Sequence, residues 1–296
     1  MPHSFFDYQD AYLKTLQNAG KSPHTLAAYR RDLVQLAGLL PEKAAESMPQ
    51  RSHFITALKK LSQQNQNPRS MARKLSVWRQ YCDWLAQQGF LTGNPIENLK
   101  APKPSQRLPK AVEQETLNRL LDNDTDNEAL SLRDKAIFEL IYGSGLRLSE
   151  VCTLNLNDIM LQDGWVHVLG KGNKERNVPL SRKSIEALQA YLPQRHAAHN
   201  ESALFTNRFG RRLGTRQIQN RLREWALKQG SPQHLSPHML RHSYASHLLQ
   251  SSHNIRAVQE LLGHSDLATT QIYTKLDFDH LAQIYDQAHP RAKRKK

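Results

Sequence analysis

Residues 94–112 read NPIENLKAPKPSQRLPKAV and carry four prolines, Pro95, Pro102, Pro104 and Pro109. Proline has no N–H to give to a helix or a sheet, and it pushes the residue before it out of helical geometry. A stretch punctuated this way cannot continue either regular element, so the chain is expected to fold as two bodies on either side of it. A length of 296 residues gives each body an ordinary domain size. The expected organisation is a helical domain over 1–93, a basic Pro-rich linker over 94–112, a second domain over 113–290, and a basic disordered tail, RAKRKK, over 291–296.

The first body reads as four helices. Phe5 to Leu16 recur at helical spacing, and Gly20 is a stop. Ser22-Pro23 opens a second helix, with an N-cap followed by proline at the first helical position. Leu26, Tyr29, Leu33 and Leu36 form its apolar stripe, Arg30 and Arg31 lie on the other face, and Pro41 ends it. A third helix spans about 50–63, with Phe54, Leu58 and Leu61 inward. A fourth runs from Ser70 to Gln88, with Leu75, Trp78, Cys82 and Leu85 inward and Arg73, Lys74 and Arg79 elsewhere.

Beyond the linker, helices are expected at about 113–122, 131–143, 182–193, 215–229, 236–250, 254–262, 266–272 and 277–288, and a short one capped by Ser149. Between them, WVHVL and RNVPL flank the Gly- and Lys-rich turn of LGKGNKER, which is a hairpin pattern. The fold class is therefore mainly α with a small antiparallel β-sheet.

Charge narrows the partner. Lys and Arg exceed Asp and Glu by 14, and the excess is spread, +6 over residues 1–100 and +8 over the rest. Such a balance points to a polyanion, nucleic acid being the commonest large one. No window approaches 18 consecutive apolar residues, and the start MPHSFFDYQD, with Asp7 and Asp10, is not a secretory signal. A cytoplasmic location is expected. Cys82 and Cys152 match no CxxC spacing and read as buried thiols.

Six residues could do chemistry. In SPHMLRHSYASHLL, His238 and Arg241 stand at i and i+3, on one helix face. His238 and His242 have the i, i+4 spacing of a zinc helix, but Met239 occupies the position of the catalytic Glu, and no metal or other cofactor is expected. In GSGLRLSE, Arg147 is held between two leucines after a glycine turn, a fixed guanidinium suited to phosphate, though a salt bridge to Glu150 accounts for it equally. Lys171 lies between Gly170 and Gly172 at the hairpin turn, where a lysine can reach a reacting oxygen. In LLGHSDLATTQIYTK, His264 follows Gly263 at a helix break, and Tyr273 reads as either a core tyrosine or a nucleophile. Together these residues form the minimal set for metal-free attack on a phosphodiester: a hydroxyl nucleophile, two guanidiniums for the charge that builds on phosphate, a lysine for the leaving oxygen and histidines for proton traffic.

Their order is that of a known family. Arg147 in GLRLSE, Lys171 in LGKGNKER, His238 and Arg241 in HMLRH, His264 in LLGH and Tyr273 in IYT resemble the tyrosine recombinases of the phage integrase family, over essentially the whole chain. The absence of an extra domain at the front resembles the Xer subfamily, and LDFDHLAQIYDQAHPRAKR resembles its XerC branch. Family members often have His after Tyr-Thr, where this chain has Lys275. The resemblance implies an N-terminal core DNA-binding domain and a C-terminal catalytic domain clamped around duplex DNA. It implies cleavage through a 3′-phosphotyrosyl intermediate on Tyr273, with Arg30, Arg31, Arg73, Lys74 and Lys103 as candidate DNA contacts. It further implies a XerD-like partner, two plus two protomers on paired sites, a DNA translocase of the division machinery as an additional partner, and resolution of chromosome dimers. Two alternatives share these residues: a type IB topoisomerase that reseals the strand it cuts, and a non-catalytic DNA-binding protein.

Overall fold

The computed structural model describes residues 4–41, 44, 48–102, 111–123, 128–170, 174–262, 284–285 and 287–292. It divides into two compact units, Met1–Leu108 and Pro109–Lys296.

The first unit holds helices α1 (Gln9–Asn18), α2 (Pro23–Leu39), α3 (Arg51–Gln63) and α4 (Pro68–Gln87). Ser22 caps α2 by accepting the Thr25 N–H at 3.2 Å. Asn67 does the same for α4, accepting from Arg69 at 2.9 Å ahead of Pro68, so this helix begins two residues before the expected Ser70. The core gathers Phe5, Phe54, Trp78, Tyr81 and Cys82, all fully buried.

One buried charge joins α2 to α4. Asp32 is enclosed, and it accepts hydrogen bonds from Lys74 at 3.0 Å and from both terminal nitrogens of Arg73. This corrects the placement of Lys74 on an outer face. Lys74 precedes Trp78 by one helical turn, so it lies on the core stripe, and a buried carboxylate is tolerable only with a cation against it. Arg73, although tied to Asp32, stays half exposed at 50%. The front of the Pro-rich stretch also packs here. Ile96 is fully buried, Asn94 donates to Asp83 at 2.7 Å, and Arg79 donates to the Leu99 carbonyl at 2.6 Å.

The second unit contains α5 (Gln114–Asp122), α6 (Ala129–Gly143), α7 (Leu148–Thr153), α8 (Arg182–Tyr191), α9 (Thr215–Lys228), α10 (Pro237–Ser252) and α11 (Ile255–Leu262). Every residue of α6 from Ala136 to Gly143 is buried, which makes it the central helix, with α8 and α10 packed against it. The sheet runs β1 (Ile159–Met160), β2 (Trp165–Leu169), β3 (Glu175–Pro179), all antiparallel, with Val166 opposite Val178 and His167 opposite Asn177. The hairpin is as the sequence predicts. Strand β1, two residues long, is too short to leave a periodicity.

Near the C-terminus, Tyr285, Ala288, His289 and Arg291 are buried in this unit. Tyr285 is fully buried and donates to the Gly143 carbonyl. Arg291, assigned from sequence to a disordered tail, is instead 3% exposed and donates to Glu139 at 3.2 Å and Asp122 at 2.9 Å. Composition alone reads RAKRKK as a solvated charge run, but Glu139 is buried on α6 and requires a counterion. The helices expected at 266–272 and over most of 277–288 lie outside the described residues.

Candidate active site

The site begins at the end of α6, where the chain turns sharply through Gly143-Ser144-Gly145. Gly145 has φ +63°, a left-handed conformation, and a Cβ at this position would run into the ring of Tyr244, which is fully buried on α10. This close approach aims the Gly145 carbonyl at Arg241, whose guanidinium it accepts from. Gly145→Ala therefore meets both a backbone and a steric penalty. It is expected to destabilise the protein by ~3 kcal/mol, lowering Tm by roughly 6–12 °C in a unit of this size, as differential scanning calorimetry would show.

Arg147 occupies the N-cap position of α7, and Glu150 rather than Ser149 does the capping. Glu150 Oε2 accepts the Arg147 backbone N–H at 2.8 Å, while Oε1 accepts from the Arg147 side chain at 2.9 Å. Glu150 is 2% exposed and Arg147 is 32% exposed. The salt-bridge reading of Arg147 and the phosphate reading are thus compatible, because the bridge holds a guanidinium that still faces outward.

Two further arginines converge on the same carboxylate. Arg176 on β3 grips it with Nη1 to Oε1 at 2.8 Å and Nη2 to Oε2 at 3.1 Å. Arg241 on α10 brings Nη1 to within 4.0 Å of Oε2, and its Nη2 donates to the Leu262 carbonyl at 2.7 Å. Burial pushes the Glu150 carboxyl up, but the hydrogen bonds and charge of Arg176, with the two hydrogen bonds from Arg147, outweigh it and hold the group below the ordinary carboxylate range. Arg241 shows the opposite stress. Burial, then the positive charge of Arg147, pulls it down to about 10. Among the described residues three guanidiniums face one carboxylate, at a partly open surface.

The remaining expected residues relate to this cluster as follows. His238 sits in the first turn of α10, exposed and one helical turn before Arg241, after an N-cap in which Ser236 accepts from Met239 at 3.3 Å. Lys171, His264 and Tyr273 lie outside the described residues, as does Lys103. The points where the chain leaves those residues are at the site. Gly170, which precedes Lys171, donates to the Lys174 carbonyl at 2.7 Å, and a Cβ there would come within 3.3 Å of Arg176 Nη1. Leu262, two residues before His264, is the residue whose carbonyl Arg241 holds. Arg30 and Arg31 of the first unit are exposed on α2, with Arg30 paired to Asp10 at 2.8 Å.

Sequence reasoning missed Arg176. A signal existed, because Arg176 stands two residues before Val178 on a strand, and Val178 is a core residue, so both point to the buried face.

Comparison with known proteins fits this geometry. Residues 110–280 match the model of the phage integrase family, and residues 10–89 match its N-terminal SAM-like domain. The tyrosine recombinase XerC of Neisseria meningitidis serogroup C is 57% identical over 297 residues, covering 98% of this chain and 97% of that protein. XerC of Chromobacterium violaceum is 49% identical over 284 residues, covering 96% and 95%. Among solved structures, a dimer of lambda integrase residues 75–356 bound to a COC′ core site superposes with a TM-score of 0.72 at 16% identity, over 92% of this chain and all of that one. A lambda integrase tetramer bound to a Holliday junction gives 0.71 at 16% identity, over 91% and 81%. At these identities the two structures speak for the fold alone.

Proposed function

The chain belongs to the phage integrase family of site-specific tyrosine recombinases, and on that premise we propose that Tyr273 is the nucleophile served by the cluster around Glu150. The observation that carries this reading is that Arg147 and Arg241 are both held toward Glu150 at a partly open surface, three guanidiniums to one carboxylate among the described residues. A scissile phosphate arriving there meets two guanidiniums already held in place.

In the proposed reaction the Tyr273 hydroxyl attacks phosphorus and forms a 3′-phosphotyrosyl bond, while the 5′-oxygen leaves with a proton from Lys171. Arg147 and Arg241 neutralise the non-bridging oxygens as charge builds on them, which is the largest electrostatic contribution to such catalysis. His238 and His264 hydrogen-bond the phosphate and carry the tyrosine's proton. The 5′-hydroxyl of a partner strand then attacks the phosphotyrosine and restores a phosphodiester. The bond energy is kept throughout, so the chemistry balances without ATP.

The substrate in this reading is duplex DNA, gripped in the first unit through Arg30, Arg31 and the half-exposed Arg73, with Lys103 as a further contact. Likeness to XerC proteins supports paired action with a XerD-like recombinase, two protomers of each on two sites, with the division machinery's DNA translocase, in resolving chromosome dimers in the cytoplasm. No helix among the described residues is long and apolar enough to cross a membrane.

Strand transfer between two differently labelled duplex sites, with and without such a partner, tests the reading. Joined products carrying both labels are expected. Resealing of the original strand alone would instead indicate topoisomerase-like chemistry.

A further inference from the structure

Among the described residues, Arg176 is the less exposed of the two cations that hydrogen-bond Glu150, at 16% for its side chain against 32% for Arg147. Both of its terminal nitrogens are spent on the Glu150 carboxylate. That carboxylate is 2% exposed, so losing the grip would leave a buried charge without its best partner. Arg176 is therefore well placed to hold that carboxylate in one orientation. Glu150 reaches Arg147 twice, through the backbone N–H and through the guanidinium. Arg176 is also the second residue of β3, and a Cβ on Gly170, the residue before Lys171, would come within 3.3 Å of its Nη1.

We propose that Arg176 is a positioning residue for strand cleavage: its two-pronged grip on Glu150 fixes the orientation of Arg147. The planar fork of arginine matches a carboxylate with two parallel hydrogen bonds, whereas a lysine is a point charge that leaves the carboxylate free to rotate. Rotation of Glu150 swings Arg147 away from the phosphate it must meet, and misplacement by about 1 Å at a reacting centre costs on the order of a hundredfold in rate.

The proposal rests on the tyrosine-recombinase reading above, and the test separates the two. Single-turnover cleavage of a nicked duplex is measured at saturating DNA, per DNA-bound molecule, for wild type, Arg176→Lys, Arg147→Lys and the double variant. Arg176→Lys is expected to slow cleavage by roughly 30- to 100-fold, with the Kd for DNA changed less than about threefold because many phosphate contacts carry binding. In the Arg147→Lys background the same change should cost less than about threefold, since a residue that acts through Arg147 has nothing left to position. A merely structural role would lower Tm but would leave the rate per bound molecule unchanged, or would slow both backgrounds equally. Arg176→Gln, which keeps a neutral donor toward Glu150, is a second variant with the same expected non-additivity. Wild-type cleavage with Arg176→Lys equally fast, or rate losses that multiply in the double variant, would overturn the proposal alone. A wild type that forms no adduct would sink the strand-cutting reading and this proposal with it.

Discussion

Replacing Arg241 by alanine is expected to slow DNA cleavage about a thousandfold, ~4 kcal/mol of lost transition-state stabilisation, with little change in DNA affinity. The rate loss follows from where the guanidinium sits. It is 12% exposed, and two of its N–H groups are tied to the carbonyls of Gly145 and Leu262, so its remaining donors are fixed in direction before any phosphate arrives. A preorganised donor of this kind acts only on charge that develops during the reaction, whereas affinity is shared among many phosphate contacts. Its value near 10 leaves it cationic at pH 7 in all but about one molecule in a thousand. Stability should change less than activity. Alanine abandons two carbonyl partners, each worth ~1 kcal/mol, but it also relieves the repulsion with Arg147 that helps pull Arg241 down. Cleavage rates on a nicked duplex and band shifts at one salt concentration check both statements. A loss of binding in proportion to the loss of cleavage would make Arg241 a general phosphate anchor instead.

Much of this was legible in the sequence, for physical reasons that differ by element. Helix starts at Pro23 and Pro237 were readable because a Ser-Pro pair supplies both the cap and the fixed φ that a first turn needs. The hairpin was readable because two β-type runs flank a glycine-rich turn. Lys74 was misplaced because its charge suggested the surface, while its helical phase, one turn before Trp78, put it in the core beside Asp32. Arg291 was misread for a related reason, since composition cannot reveal that Glu139 is buried and awaits a cation. At the site, Arg147 and Arg241 were found by motif and an Arg147–Glu150 bridge was an alternative reading, but the convergence of Arg176 and Arg241 on the same carboxylate was not foreseen. That convergence joins residues 147, 150, 176 and 241, and it emerges only when α7, β3 and α10 are packed together.

The central claim is that this cluster serves a tyrosine that becomes covalently bound to DNA. Tyr273→Phe removes one oxygen atom and nothing else, so it removes the nucleophile while keeping the ring's shape. Every group that neutralises or protonates the phosphate is left in place, yet no bond to phosphorus can form, and the expected effect is abolition rather than slowing. Binding should persist, because the phosphate contacts remain. The most direct measurement is a nicked suicide substrate on which the cut strand loses the fragment needed for rejoining, with the 3′-linked protein–DNA adduct resolved on a denaturing gel and the linked residue identified by peptide mapping. The account predicts an adduct through Tyr273 in the wild type, with or without a partner recombinase, and no adduct in Tyr273→Phe at equal DNA occupancy. An adduct of equal yield in Tyr273→Phe, or none in the wild type, would contradict it.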